Sequence, residues 1–193
     1  MSLFPSSNGC DYKPINAESA ISLGAEIDVS KSFRNLENYK NLLYYLRFFS
    51  LQLNASVVKS EVISDVNYVR DKSRAMQGQS PYIVNCGLIY SDDKDLMISV
   101  MYNIIGKRII VVGTPQDPNV YEMPRNLLDL TVSKKLNNHL YVKCGIKDII
   151  NDKVIFKQFV SYKDSTGANI ERDQLLKSYN PGRSLVFGVT YLF

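Results

Sequence analysis

The chain has 193 residues, of which 45% are hydrophobic, 22% charged and 11% aromatic, a balance that supports folded structure and excludes intrinsic disorder. Lys and Arg number 23 against 19 acids, a formal charge of +4 with both signs mixed along the chain, so the basic stripe of a nucleic-acid binder is missing and no nucleic-acid partner is expected. Cys10, Cys86 and Cys144 carry no C-x-x-C spacing and His139 is the single histidine, which argues against a zinc site, a disulfide framework and His-dependent triads.

The first residues, Met1-Ser2-Leu3-Phe4-Pro5-Ser6-Ser7, lack the charged n-region and apolar core of a signal peptide, so none is expected there. No stretch approaches the ~20 apolar residues of a membrane helix. The most apolar runs, Leu42 to Phe49 and Ile104 to Val112, are broken by Arg47 and by Gly106-Lys107-Arg108. A membrane β-barrel announces itself by alternation instead, and alternation is what this sequence offers.

Residues 1–18 show little of it and are expected to be loop. From there Ile21, Leu23, Ala25, Ile27 and Val29 alternate with Ser22, Gly24, Glu26, Asp28 and Ser30. Phe49, Leu51, Leu53, Ala55 and Val57 alternate with Ser50, Gln52, Asn54 and Ser56. Tyr82 to Tyr90, Leu96 to Ile104, Leu128 to Val132, Leu140 to Ile146 and Ser184 to Phe193 repeat the pattern. Seven strands are therefore predicted, each with an apolar face opposed by Ser, Thr, Asn, Gln, Gly or charged residues. Aromatics stand near the ends of the apolar face (Phe49, Tyr82, Tyr90, Tyr191, Phe193), as in an interfacial girdle, while Glu26, Asp28 and Lys143 place charge at mid-strand on the other face.

The connections also differ in kind. Ser91 to Asp95 and Asn137-Asn138-His139 are short polar turns, with His139 a solvated turn residue; Ile63 to Ser80, Gly113 to Arg125 and Ser161 to Tyr179 are long, and Arg34 to Leu43 is intermediate. Short turns at one end and long loops at the other are the habit of an outer-membrane barrel. An odd count of seven strands places the N-terminal side at the long-loop end, whereas single-chain bacterial barrels have an even number, so these strands read as part of a larger barrel. A soluble all-β ligand-binding module alternates too, its apolar face being a core, and a complete small outer-membrane barrel of structural or adhesin type would need an eighth strand within residues 1–18.

Exposed groups that suit ligand capture are Tyr68, Arg70 and Arg74 in the loop Asp65 to Ser80, together with Arg125 of Pro124-Arg125 and Arg183 of Pro181-Gly182-Arg183. Asn85, Asn103 and Gln52 fall on the polar face. Gln116-Asp117-Pro118-Asn119 departs from the calcium-loop pattern, so no metal and no cofactor is expected. Nothing in the sequence arranges the paired, desolvated carboxylates of acid/base catalysis, and an enzyme is not expected.

Four segments carry a resemblance. Met76-Gln77-Gly78-Gln79-Ser80-Pro81-Tyr82-Ile83-Val84-Asn85, Tyr121-Glu122-Met123-Pro124-Arg125 leading to Ser133-Lys134-Lys135, Gly145-Ile146-Lys147-Asp148-Ile149-Ile150-Asn151, and Tyr179-Asn180-Pro181-Gly182-Arg183-Ser184 resemble, in order and spacing, TonB-dependent outer-membrane receptors of the Bacteroidetes type. Asp148 stands where that family more often has Asn. The resemblance implies an all-β, antiparallel transmembrane barrel segment, about seven strands of a barrel of about 22. Residues 1–193 would be the C-terminal part, strands from about 19 onward, without signal peptide, TonB box or plug. It further implies location in the bacterial outer membrane and contribution of barrel wall and extracellular loops to uptake of a large nutrient such as a metal chelate, a cobalamin-like compound or a glycan. The implied partners are outer-membrane lipid, the remaining strands and plug, the TonB complex acting through that plug, and the insertion machinery that reads the terminal Tyr191 and Phe193.

Overall fold

A computed structural model describes the chain except residues 1, 7–8, 14–15, 39–41, 68 and 164–165; side chains are described outside 1–15, 37–43, 68, 162–165 and 169. Fourteen strands follow in order: β1 Ser2–Ser6, β2 Gly9–Lys13, β3 Ser19–Ser32, β4 Phe49–Ile63, β5 Ser73–Arg74, β6 Tyr82–Ser91, β7 Leu96–Ile105, β8 Arg108–Val111, β9 Val120–Glu122, β10 Arg125–Lys135, β11 Leu140–Lys147, β12 Val154–Lys163, β13 Asn169–Tyr179 and β14 Ser184–Tyr191. A 3-10 helix, Arg34–Asn38, and a short helix α1, Leu42–Leu46, lie between β3 and β4.

All seven strands predicted from alternation are present, and together they form one antiparallel sheet in the order β14-β11-β10-β7-β6-β4-β3, with β5 attached to β4. Each neighbour in that order is the next of the seven along the chain, an up-and-down meander. Its two ends differ. Residues 92–95 and 136–139 make short turns at the end that also receives the 3-10 helix and α1, whereas 64–81, 106–124 and 148–183 all connect strands at the opposite end. There the long connections are not plain loops, as expected, but hold a second antiparallel sheet, β13-β12-β9-β8. Ser2–Ser6 and Gly9–Lys13, in a stretch expected to be loop, pair as β1 and β2 and, among the described residues, join neither larger sheet. The main sheet is open: β3 and β14 each have one neighbour and do not meet. A closed barrel is not formed by these strands.

Register makes the alternation of one strand the alternation of all. Directly opposed residues share a face. Val29↔Leu53, Leu53↔Cys86, Cys86↔Tyr102, Tyr102↔Leu128, and then Val132↔Cys144 and Cys144↔Phe187 carry the apolar face from β3 to β14. Among the described residues the buried apolar side chains are Val62, Val69, Ile109, Val112, Val120 and Val154, and none lies on that face. Leu23 at 77%, Leu185 at 81% and Phe187 at 72% exposure stand bare at its two edges. The buried cluster sits instead at the long-loop end, where Val69, Ile109 and Val112 meet, with Val66 and Tyr121 against them.

This cluster fixes the connections. Gly113 N donates to Asn119 Oδ1 at 2.7 Å, Asn119 Nδ2 to Asp71 Oδ2 at 2.6 Å, and Arg70 N to Gly113 O at 3.3 Å, so 64–81 and 106–124 are pinned to each other. A Cβ on Gly113 would lie 2.3 Å from Asp117 O and 2.6 Å from the Pro118 carbonyl carbon, backbone atoms that cannot swing aside. We predict that Gly113→Ala costs about 1–3 kcal/mol by overpacking. Limited proteolysis should then cut within 64–81 and 106–124 while far-UV circular dichroism keeps its strand signal; resistance equal to the unaltered chain would refute this tight closure.

Candidate functional site

Two polar regions are built by this frame. The first lies on the face opposite the apolar one. Register sets Asp28 across from Asn54, Asn54 across from Asn85, and Asn85 across from Asn103. Their side chains join in a directed ladder: Asn103 Nδ2 donates to Asn85 Oδ1 at 2.6 Å, Asn85 Nδ2 to Asn54 Oδ1 at 3.3 Å, and Asn54 Nδ2 to Glu26 Oε1 at 2.7 Å. The chain of donors ends on a carboxylate of the edge strand, with Asp28 Oδ2 a longer 3.4 Å from Asn54 Nδ2. A charged acceptor at the terminus strengthens such a row. Beside it a hollow of about 310 Å³ is lined by Asp28, Ser30, Gln52, Asn54, Asn85 and Met101 among others. The face offers amides and carboxylates to water, to a polar ligand or to another polypeptide.

The second region is at the long-loop end, where the starts of β10 and β14 meet the segment after β11. Arg125 Nη2 pairs with Asp148 Oδ2 at 2.5 Å, the two side chains 21% and 10% exposed. Asp148 N donates to Asp129 Oδ1 at 2.8 Å, and Ile149 N to Leu128 O at 2.8 Å. Asp148 (φ 55°) and Asn151 (φ 53°) both turn through the left-handed region, which short polar side chains adopt more readily than others. Asn151 then ties down the Asn180-Pro181-Gly182 turn, its O accepting from Asn180 Nδ2 at 2.8 Å and its Oδ1 from Gly182 N at 3.0 Å.

The predicted site residues fall in different places. Arg125 and Arg183 are brought together on this segment: Arg183 Nε donates to Ile149 O at 2.8 Å, one residue from the partner of Arg125. Arg125 is held in an ion pair, and Arg183 is exposed apart from that bond. Arg70 is exposed on the 64–81 connection. Arg74, at the end of β5, is half-buried; burial pushes its guanidinium down while Asp71 opposes the shift. Tyr68 lies outside the described residues. Tyr191 and Phe193 stand exposed at the short-turn end with their rings edge to face, 5.3 Å apart. Tyr191 stacks on His139, whose Nδ1 lies 2.9 Å from Leu192 O. Cys86 and Cys144 are free thiols on the apolar face.

Sequence reasoning named Asn85, Asn103, Glu26 and Asp28 but not their connection, which only register supplies. It also passed over Asp148 as the partner of Arg125, 23 residues away. Lys107, read merely as breaking an apolar run, lies over two rings, its Nζ 4.9 Å from the Tyr121 centroid and 5.0 Å from that of Phe159. Beside it, Arg108 binds Glu122 Oε2 through Nε at 3.0 Å and Nη2 at 2.8 Å.

The chain matches no protein-family model, no curated protein and no solved structure. What the residues build is all that bears on function.

Asp152 completes the junction by accepting from both the backbone N and the Nδ2 of Asn126, each at 3.0 Å. The Asn126 backbone N–H, its side-chain amide, the Lys153 backbone N–H and the charge of Arg125 hold the Asp152 carboxyl below the usual carboxylate range. A depressed value in the folded chain adds stability above the unfolded carboxylate value of about 3.9 and loses it as pH falls through the folded value. The protection of the Asn126 amide, its exchange rate corrected for the intrinsic rate at each pH, should therefore fall below about pH 4, an effect Asp152→Asn abolishes. Protection at Asn126 that is flat across the carboxylate range would contradict this.

Proposed function

We propose that the chain is wall and loop structure of an outer-membrane β-barrel, the C-terminal segment of a TonB-dependent receptor taking up a large nutrient. The bare apolar face carries this reading: seven registered strands present a continuous apolar surface, and among the described residues no buried apolar side chain lies on it. A soluble module would bury that face as its core. Lipid can solvate it, provided that every backbone group is paired within a closed sheet.

Dimensions support the same reading. β6 and β7 have 10 residues each and β10 has 11, where a tilted membrane strand needs about 9–11. On β6 the apolar face runs from Tyr82 to Tyr90, eight rises of about 3.4 Å, or about 27 Å. At a strand tilt of about 40° that run rises about 21 Å, close to the apolar band of about 25 Å in outer-membrane barrels. The asymmetry of short turns and long, structured connections supports an outward-facing loop end, and the amide ladder suits a polar lumen or the surface of a plug. β3 and β14 run in the same direction, so antiparallel closure needs an odd number of further strands between them. In the whole receptor those strands, the plug and the TonB complex would supply closure and energy coupling, the insertion machinery would read Tyr191 and Phe193, and Arg70 and Arg183 would face arriving ligand.

An arginine placed at mid-strand tests the lipid reading. Val100 is on the apolar face at the middle of β7, and Thr131, on β10, is on the opposite face. Val100→Arg should destabilise the protein folded in phospholipid vesicles by about 2–4 kcal/mol, and Thr131→Arg by under about 1 kcal/mol. Urea titration of vesicle-folded protein reads both. Equal effects, or the reverse order, would sink the proposal.

A further inference from the structure

We infer that the cavity where β4 projects beyond β6 is a binding site for an anionic amphiphile, a phosphate or carboxylate carrying an apolar chain. β4 pairs with β6 only up to Val57↔Tyr82, and its last residues continue upward beside β3 and β5. Between this projection, the 75–81 segment and the β8–β9 hairpin lies a cavity of about 410 Å³, within the range of small-molecule sites. Its walls are largely apolar, from Val57, Val58, Pro81, Ile109 and Tyr121.

The polar groups decide the ligand. Three cationic side chains line the cavity, Lys59, Lys107 and Arg108, and no carboxylate does. Arg108 is neutralised by its two bonds to Glu122. Lys59 and Lys107 are exposed, and neither forms an ion pair among the described residues. Lys107 is nevertheless steadied, its ammonium resting over the adjoining rings of Tyr121 and Phe159, a contact that orients the charge without neutralising it. Gln79, also on the wall, donates through Nε2 to Ser22 Oγ at 3.3 Å. An apolar hollow and two uncompensated ammoniums are complementary to an acyl or alkyl body carrying a phosphate or a carboxylate. The site is defined by these walls alone and stands whether or not the apolar sheet face meets lipid.

The test is titration of the full chain in zwitterionic micelles with octyl phosphate, inorganic phosphate and octanol. Saturable binding of octyl phosphate, one per chain, is expected, with the other two at least about tenfold weaker because each lacks one half of the match. Lys59→Gln and Lys107→Gln should each weaken octyl phosphate at least about tenfold, and Lys107→Arg should restore it. Protection of the Lys59 and Lys107 amines from acetylation by octyl phosphate, read by mass spectrometry, locates the site without relying on variants. Displacement of octyl phosphate by phosphatidylglycerol vesicles assigns the anion to a lipid headgroup; retention assigns it to a soluble amphiphile, the lysine dependence holding in both. Octanol binding as well as octyl phosphate, or amines equally reactive with and without it, would overturn the inference.

Discussion

Cross-strand register is the constraint from which the rest follows. In an antiparallel pair, opposed residues share a face, and slipping one strand by a single residue would send its whole apolar set to the other side. Six consecutive pairings of the main sheet keep the same phase without interruption. Seven separately alternating segments thereby become one apolar surface and one polar surface. The amide ladder from Asn103 to Glu26 exists because the same register lines up asparagines on three neighbouring strands. The apolar face stays bare because the buried apolar residues of the described chain lie at the long-loop end and not on it.

The polar interactions are concentrated where the sheet must be finished. At the long-loop end, the backbone leaves β10, β11 and β14 through segments that would otherwise expose unpaired groups. Arg125 with Asp148, Asp152 with Asn126, and Asn151 with Gly182 close those segments onto one another. Two residues at positive φ, Asp148 and Asn151, give the chain its tight path there. At the short-turn end, smaller devices do the same. Asp92 Oδ1 accepts from the backbone N of Leu96 at 2.8 Å and of Lys94 at 2.9 Å, which holds its carboxyl below the ordinary range. Arg47 lies 4.4 Å from the ring centroids of both Tyr44 and Phe48 and pairs with Asp93.

The strands legible in the sequence were those with one wet and one apolar face, because period two survives only where the two faces meet different surroundings. β12 and β13 escaped for the converse reason. Their pairing passes from Phe156↔Lys177 to Lys157↔Leu175, so Leu176 is skipped and the phase shifts mid-strand. β13 carries charges and is exposed along its described length, and β8 is four residues, an arginine and three apolar residues, too short to read. The candidate site was legible residue by residue but not as an arrangement. Arg125 and Arg183 look alike as loop cations, and only folding shows one locked to Asp148 and the other resting on Ile149. Lys107 gave no signal of its own, since its significance comes from rings contributed by β9 and β12.

The proposed role as barrel wall turns on whether the apolar side of the main sheet meets lipid. The most direct measurement is a cysteine scan of β7, Met97 to Asn103, in a background with Cys10, Cys86 and Cys144 replaced, the protein being folded in membranes. Each position is read with a water-soluble maleimide and with a quencher carried on lipid acyl chains. A lipid-facing wall gives strict period two: Ile98, Val100 and Tyr102 positions quenched by lipid and slow to react with maleimide, Ser99, Met101 and Asn103 positions the opposite. Quenching without period, or maleimide reactivity at both sets alike, would contradict a lipid-facing apolar surface.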